Sequence, residues 1–418
     1  MTTIPTRREH EGTLIIGAGQ AGLQLATSLR ELGDTRSITV VGGESHPPYQ
    51  RPPLSKGFLS GDALHVDLAL RGSTFYEDNN ITMIYGEWIE AIELHDADSS
   101  SGHARTDRGR TLEFDRLAFT VGGTPRRMNV PGADLAGIHY LRTLDDAVAL
   151  RDDLYRAARV VVVGGGFVGL EIAAAATSKG KDVVVLEAQD RLMSRAVARE
   201  MSTFYSEAHA RRGTRIQLGA AVSGFRGSDR VNGVELADGE IIDADVVVVG
   251  IGLLPHTDLA KSIGLASDQG VIVDEFGNTR IPGIVAAGDC AISAHRTHGQ
   301  IRLESVPNAI AQAKTAASSL MGHEPGEPSL PWFWSDQADL KLQMAGLTIG
   351  YDQVVLRGDI EGEKFSALYY RDNRLIAVEA VNMPGDYMAA RRILEGGGNI
   401  PPEAAADMEI PLKTHLTR

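Results

Sequence analysis

One pattern occurs twice in this chain, and it narrows the possible folds more than any other feature. The first copy reads TLIIGAGQAGLQLATSLRELG and continues into SITVVGGE; the second reads RVVVVGGGFVGLEIAAAATSKG and continues into KDVVVLE. In each, a short β-branched run feeds a glycine turn, an alanine-rich helix follows, and a second apolar strand closes the unit. A strand joined to the next through a helix is a parallel crossover, so parallel sheets covered by helices are expected. Gly17 and Gly164 are the equivalent first glycines of the two turns.

Other apolar runs give the order of domains. LEFDRLAFTVGGTPR leads out of the first unit, DADVVVVGIGLLP out of the second, and IPGIVAAGDC closes a third run at Gly288–Asp289. At 418 residues the chain exceeds one ordinary domain. One nucleotide-binding domain split by another explains the order best. The expected architecture is α/β, with two Rossmann-like FAD- and NAD-binding domains of three layers and a small α+β C-terminal domain. The expected limits are 1–117 and 251–329 for the two parts of the FAD domain, 118–250 for the NAD domain and 330–418 for the last. GHEPGEPSLP marks a linker near 322–331. Beyond it, KFSALYYRDNRLIAVEAVN predicts two strands around an Asp-Asn turn, and GDYMAARRILEGG a short helix ending at glycines.

Each turn fits G-x-G-x-x-G: Gly17, Ala18, Gly19, Gln20, Ala21 and Gly22, then Gly164, Gly165, Gly166, Phe167, Val168 and Gly169. Glycines allow the tight turn and let the backbone approach a pyrophosphate seated at the positive helix N-terminus. One copy is weak evidence; two complete copies predict two dinucleotides. An acid ending the second strand should bind the adenosine ribose. Glu187 does so in the second unit and would repel a 2′-phosphate, which favours NADH over NADPH. Arg191 and Arg195 lie nearby and keep NADPH open. In the first unit Glu44 is the expected ribose contact, one position later than usual.

Cysteine usage then limits the chemistry. Cys290 is the single cysteine, so the chain forms no internal disulfide, CxxC pair, or thiolate-held zinc or iron–sulfur site. No metal site is expected. A formal charge of −14 argues against nucleic acid or an anionic membrane as the main partner. The polar start MTTIPTRREHEG lacks a signal-peptide core, and no run of about 18 apolar residues exists, so a cytoplasmic location is expected.

Arg51-Pro52-Pro53-Leu54-Ser55-Lys56 is a rigid turn ending in a cation, where Ser55 is placed to cap a following helix. With YLRTLDDA, GGGFVGLE, VGIGLLP, GDC, ESVPNA and PWFWSDQ, this turn resembles the ferredoxin reductases of the putidaredoxin reductase and biphenyl-dioxygenase reductase type. These are flavoproteins of glutathione-reductase-like fold. The resemblance spans roughly Leu14 to Tyr351. It implies that Ala21, Arg51, Lys56, Ile89, Arg142, Gly288, Asp289 and Val306 contact FAD together with the first turn. It also implies that Lys56 pairs with Glu171 beside the flavin, and that Gly252 and Glu304 serve NAD, Glu304 at the carboxamide. Trp334 would lie where electrons leave. Arg71, Lys314, Lys341 and Trp332 would meet a small acidic [2Fe–2S] ferredoxin that supplies a cytochrome P-450 or Rieske-type oxygenase. Two departures stand out: Thr120-Val121-Gly122 replaces the usual Ala-Thr-Gly, and Gly43 stands where relatives often carry an acid.

The implied chemistry is hydride transfer from NADH to FAD N5, then two single-electron transfers. With one cysteine and no cluster, the electron acceptor must be a separate molecule. A rubredoxin reductase, an NADH oxidase, and an NADH-sensing flavoprotein like apoptosis-inducing factor are the alternatives.

Overall fold

The structure, a computed structural model, describes residues 12–295, 299–324, 326 and 329–416. The polar N-terminal stretch and part of the expected linker lie outside them. Two compact units divide the chain: Met1–Gln50 with Ala69–Thr124 and Leu254–Ser329, and Arg51–Leu68 with Pro125–Leu253 and Leu330–Arg418. Among the described residues no helix is long and apolar enough to cross a membrane.

The first unit carries a parallel sheet in the order Ile284–Ala286, Arg116–Phe119, Thr13–Ile16, Ile38–Gly42, Ile81–Tyr85. Thr13–Ile16 is buried throughout, as a central parallel strand covered on both faces must be. The helix Gln20–Glu31 packs against Val306–Leu320 on one face. A buried cation closes the outer end of this sheet. Arg116 donates to Thr13 Oγ1 at 2.6 and 3.0 Å and to Leu320 O at 3.0 Å, and it pairs with Asp34.

That pair supports a stability prediction. Burial pushes the Asp34 carboxyl up, but hydrogen bonds from Arg36 and Arg116 outweigh it and hold the group below its ordinary value. A carboxyl depressed on folding stabilises the protein above its unfolded pKa of about 3.9, and the benefit is lost as pH falls through the folded value. Arg116→Leu takes one of the two arginines from Asp34 and leaves Arg36 at 2.9 Å, so it should cost about 1.5–3 kcal/mol at pH 7, the worth of a hydrogen bond to a charged group. Denaturation of the two proteins should show that deficit, narrowing in acid.

The second unit holds a parallel sheet in the order Arg215–Leu218, Asp182–Glu187, Arg159–Val163, Val246–Val249, Ile138–His139. It also holds an antiparallel sheet in the order Trp332–Gln337, Leu340–Gly346, Arg374–Val381, Lys364–Arg371, Gln353–Asp359. The predicted hairpin is the pair 364–371 and 374–381, turned by Asp372 and Asn373 at φ 52° and 58°. Positive φ at both turn residues matches the right-handed twist of the strands. The predicted helix is Pro384–Glu395, ending at Gly396 and at Gly397 with φ 67°.

Two expected boundaries redistribute. Residues 330–418 share a unit with the NAD segment, because Val160, Leu170 and Phe204 form one buried cluster with Leu342, Phe365 and Tyr369. Residues 51–68, expected with the first unit, join the second, with Leu59 entering that cluster.

Candidate functional site

The two glycine turns are built alike, bond for bond. Gly17 N–H donates to Val41 O at 2.7 Å, and Gly164 N–H to Leu186 O at 2.7 Å. Thr120 N–H reaches Ile16 O at 2.8 Å, and Gly250 N–H reaches Val163 O at 2.8 Å. The first glycines have φ 113° and 107°, and a Cβ on either would overlap the carbonyl oxygen of Thr120 or Gly250. A Cβ on Gly22 or Gly169 would overlap the carbonyl of its own turn's first glycine. The middle glycines differ: at Gly19 and Gly166 a Cβ would meet no protein atom within 4 Å. Both helices start there without a side-chain cap, so their first N–H groups remain for an anion. Each turn therefore leaves open the one position where a pyrophosphate must approach the backbone. The residues fit one dinucleotide in each unit.

The adenosine ends are not alike. Glu187 Oε2 accepts Gly165 N–H at 2.7 Å and Oε1 accepts Gln189 N–H at 2.8 Å, which fixes the carboxylate beside its turn. Pairing the turns by their first glycines sets Gly42 opposite Glu187, so Glu44 lies two positions further on rather than one. A Cβ on Gly42 would come within 2.5 Å of Ala18 Cβ, whereas the second turn has glycine at 165 and the side chain at 187. Glu44 is instead held by the Tyr49 hydroxyl at 2.5 Å. Gly43 lies under the indole of Trp88, which any side chain there would strike. Trp88, 55% exposed and edge-on to His256, was not singled out from sequence.

Two other expected FAD contacts of the first unit, Gly288 and Val306, belong to segments packed on the helix Gln20–Glu31. Gly288, with φ 83°, would set a Cβ 3.1 Å from Ala21 Cβ, and its N–H donates to Gln312 Oε1 at 2.9 Å. Asp289 follows, its carbonyl accepting Arg302 at 3.0 Å, and Val306 begins the helix capped by Ser305. Ile89 is buried next to Trp88. The Thr120 hydroxyl donates to Ile16 O and Gly17 O at 3.0 and 2.9 Å, so that departure locks the turn. Glu304 also lies in this unit, with Oε1 on Arg302 at 2.6 Å. Gln20 opens the helix. Arg71 and Lys314 are exposed, Arg71 over the Phe75 ring.

In the second unit a buried cluster forms around Glu171, on the helix Phe167–Ser178. Lys56 Nζ is 2.9 Å from Glu171 Oε1, Ser335 Oγ donates to the same oxygen at 2.6 Å, and Ser55 Oγ donates to Oε2 at 2.5 Å. Ser55 is thus not a helix cap: its hydroxyl goes to the carboxylate. Arg51 donates to Arg142 O at 2.6 Å. Arg142 N–H bonds Asp146, whose carboxylate also closes a capping box with Thr143. Phe167 spends its ring on Phe333, 4.6 Å away, and Val168 is exposed. Arg191 is consumed by Val197 O, Ser194 O and Ser202 Oγ, which removes it as a phosphate ligand. Arg195 is exposed, and a Cβ on Gly252 would lie 3.1 Å from its guanidinium. Trp334 stacks on Trp332 at 5.6 Å, Arg391 lies 4.6 Å over Trp332, and Lys341 is exposed.

Two open cradles in one chain define a two-dinucleotide oxidoreductase. Residues 12–313 match the family described as pyridine nucleotide-disulphide oxidoreductase, and residues 332–416 match the one described as reductase C-terminal. Rhodocoxin reductase of Rhodococcus erythropolis is 43% identical, across 97% of this chain and 94% of that protein. A ferredoxin reductase for the CYP199A2 system of Rhodopseudomonas palustris has TM-score 0.92 and 39% identity, over 97% and 99% of the two chains. Putidaredoxin reductase in covalent complex with putidaredoxin has TM-score 0.91 and 36% identity, over 96% and 97%. The chain belongs to the pyridine nucleotide-disulphide oxidoreductase family, among its ferredoxin reductases. FAD and a pyridine nucleotide come with that membership and match the two cradles.

Proposed function

We propose that this chain is a cytoplasmic NADH-dependent ferredoxin reductase that feeds a cytochrome P-450 or Rieske-type oxygenase. One observation carries the choice of acceptor. In a family whose name includes disulphide chemistry, this chain has a single cysteine. Cys290 is buried, and burial pushes its thiol up to about 11. Electrons therefore pass to another molecule, and the relatives named above serve small redox carriers.

FAD, when bound, accepts a hydride from the nicotinamide and releases electrons one at a time. The chain's own part is binding and charge. In this reading the first turn, with Glu44, Ile89, Arg142, Gly288, Asp289 and Val306, binds FAD. The second turn binds NADH with Glu187, Arg195, Gly252 and Glu304. Lys56 supplies a cation for the reduced flavin ring, Glu171 orients it, and Trp334 marks the exit.

The first test is NADH-driven cytochrome c reduction with and without a [2Fe–2S] ferredoxin. Strong ferredoxin stimulation is expected. Normal flavin reduction without stimulation would point to an oxidase or sensor, and stimulation by rubredoxin alone to a rubredoxin reductase. Ferredoxin-dependent turnover should fall with rising salt if Arg71, Lys314, Lys341 and Trp332 meet an acidic carrier, while turnover with small acceptors stays level.

Nucleotide choice rests on Glu187, whose fixed carboxylate suits a free 2′-hydroxyl. Glu187→Ala should raise the KM for NADH roughly 10- to 100-fold, the worth of a charge-assisted hydrogen bond, with flavin content unchanged. A wild-type enzyme preferring NADPH would overturn this assignment.

A further inference from the structure

Behind the Lys56–Glu171 pair runs a buried chain of hydrogen bonds that neither glycine turn nor the pair itself requires. Glu171 Oε1 accepts from Ser335 Oγ at 2.6 Å. Ser335 Oγ accepts from Gln337 Nε2 at 3.2 Å, and Gln337 Oε1 meets His209 Nε2 at 2.8 Å. Ser335 and Gln337 are 0% exposed and His209 is 2% exposed. The members come from separate parts of the second unit: the turn at 51–56, the helices Phe167–Ser178 and Arg199–Arg211, and the strand Trp332–Gln337.

The chain has one direction. Ser335 has a single proton, and it is given to Glu171, so Ser335 can only accept from Gln337. Gln337 must then turn its amide N–H groups to Ser335 and its carbonyl to His209, which must offer Nε2–H. Burial lowers the affinity of His209 for a proton, more than the bond to Gln337 raises it. A neutral imidazole with its hydrogen on Nε2 satisfies the arrangement without burying a second charge. Every donor thus points toward the carboxylate that holds Lys56. Along the strand, 333, 335 and 337 share the inward face, where apolar residues would bury at far lower cost.

We infer that Gln337 and His209 are positioning residues: through Ser335 they fix the rotamer of Glu171, and through it the ammonium of Lys56. The inference rests on the assignment of Lys56 to the flavin. A flexible Glu171 would let that ammonium wander, and misplacement of about 1 Å in such a group can cost up to roughly 100-fold in rate. Gln337 and His209 touch neither nucleotide in this scheme, so they act only through their neighbours.

The test uses the FAD-loaded full chain as wild type, Lys56→Met, His209→Leu, His209→Gln and Gln337→Met. The flavin midpoint potential is measured by reductive titration, and the rate of flavin reduction by NADH by anaerobic stopped flow. Lys56→Met should lower both. His209→Leu and Gln337→Met should shift both in the same direction by a smaller amount, with the rate down roughly 10-fold. His209→Gln, which keeps an N–H donor, should return to near wild type. If Lys56→Met shifts the potential while His209→Leu and Gln337→Met match wild type, the inference fails and the reading of Lys56 stands. If Lys56→Met also matches wild type, that reading fails first. Equal shifts in His209→Leu and His209→Gln would show that ring volume matters and not the donor. Should His209→Leu not fold, Gln337→Met decides: a wild-type potential there overturns the inference.

Discussion

Gly19→Val is expected to give a folded protein that purifies without flavin. Gly19 has φ −91° and ψ −161°, a backbone open to any L-residue, and a side chain there meets no protein atom within 4 Å. The substitution therefore leaves the protein's own packing alone and fills only the space a pyrophosphate needs. Forcing extra atoms against a fitted partner costs about 1–3 kcal/mol, enough to weaken FAD binding up to roughly 100-fold. Gly17→Ala should behave differently, because φ 113° and the Thr120 carbonyl make the turn itself untenable. Gly166→Val is the matched control in the second turn, with φ −81° and the same open space. It should stay yellow and lose NADH, its KM rising up to roughly 100-fold. Flavin content, melting temperature and NADH kinetics of the three variants separate these outcomes. A yellow Gly19→Val with normal affinity would deny that the first turn holds FAD. Exchange of the two phenotypes would mean the cradles are assigned the wrong way round.

The parts of this molecule legible in the sequence are those that local chemistry decides. A glycine with φ above +100° after a β-branched run can be foreseen, because nothing else fits the turn. The Asp372–Asn373 hairpin and the helix ending at Gly396 are visible for the same reason. What escaped depends on contacts between distant segments. The departure at Gly43 looks like a missing acid until the Trp88 indole is found lying across it, 45 residues later in the chain. Ser55 resembles a cap because the residues beside it suit one, yet its proton goes to Glu171, 116 residues away. Residues 51–68 follow the first unit in sequence and join the second through Leu59. Ser335 and Gln337 alternate with Trp334 and Asp336, and two polar residues facing inward on one strand call for partners.

Glu171→Leu should be the most damaging single substitution in the second unit, and its pattern is more telling than its size. Glu171 is 4% exposed and takes three donors: the Lys56 ammonium and the Ser55 and Ser335 hydroxyls. Removing the acceptor takes the carboxylate from one cation and the short acceptor from two hydroxyls, a loss of about 3–5 kcal/mol for breaking a buried pair from one side. Glu171→Gln keeps the shape and one acceptor oxygen, so its cost should be smaller. Lys56→Met should also cost less than Glu171→Leu, since the carboxylate retains both serines. The decisive variant is the double substitution Glu171→Leu with Lys56→Met. It removes the stranded charge, so it should cost less than the two single losses added together, by a coupling of about 1–3 kcal/mol. Chemical denaturation of the four proteins at pH 7 measures that coupling directly. Additive losses would mean that Lys56 finds other solvation when Glu171 is gone; Nζ already lies 3.4 Å from Pro52 O, and the side chain is 19% exposed. The pair would then contribute orientation without contributing stability, and its role would rest on the flavin potential alone.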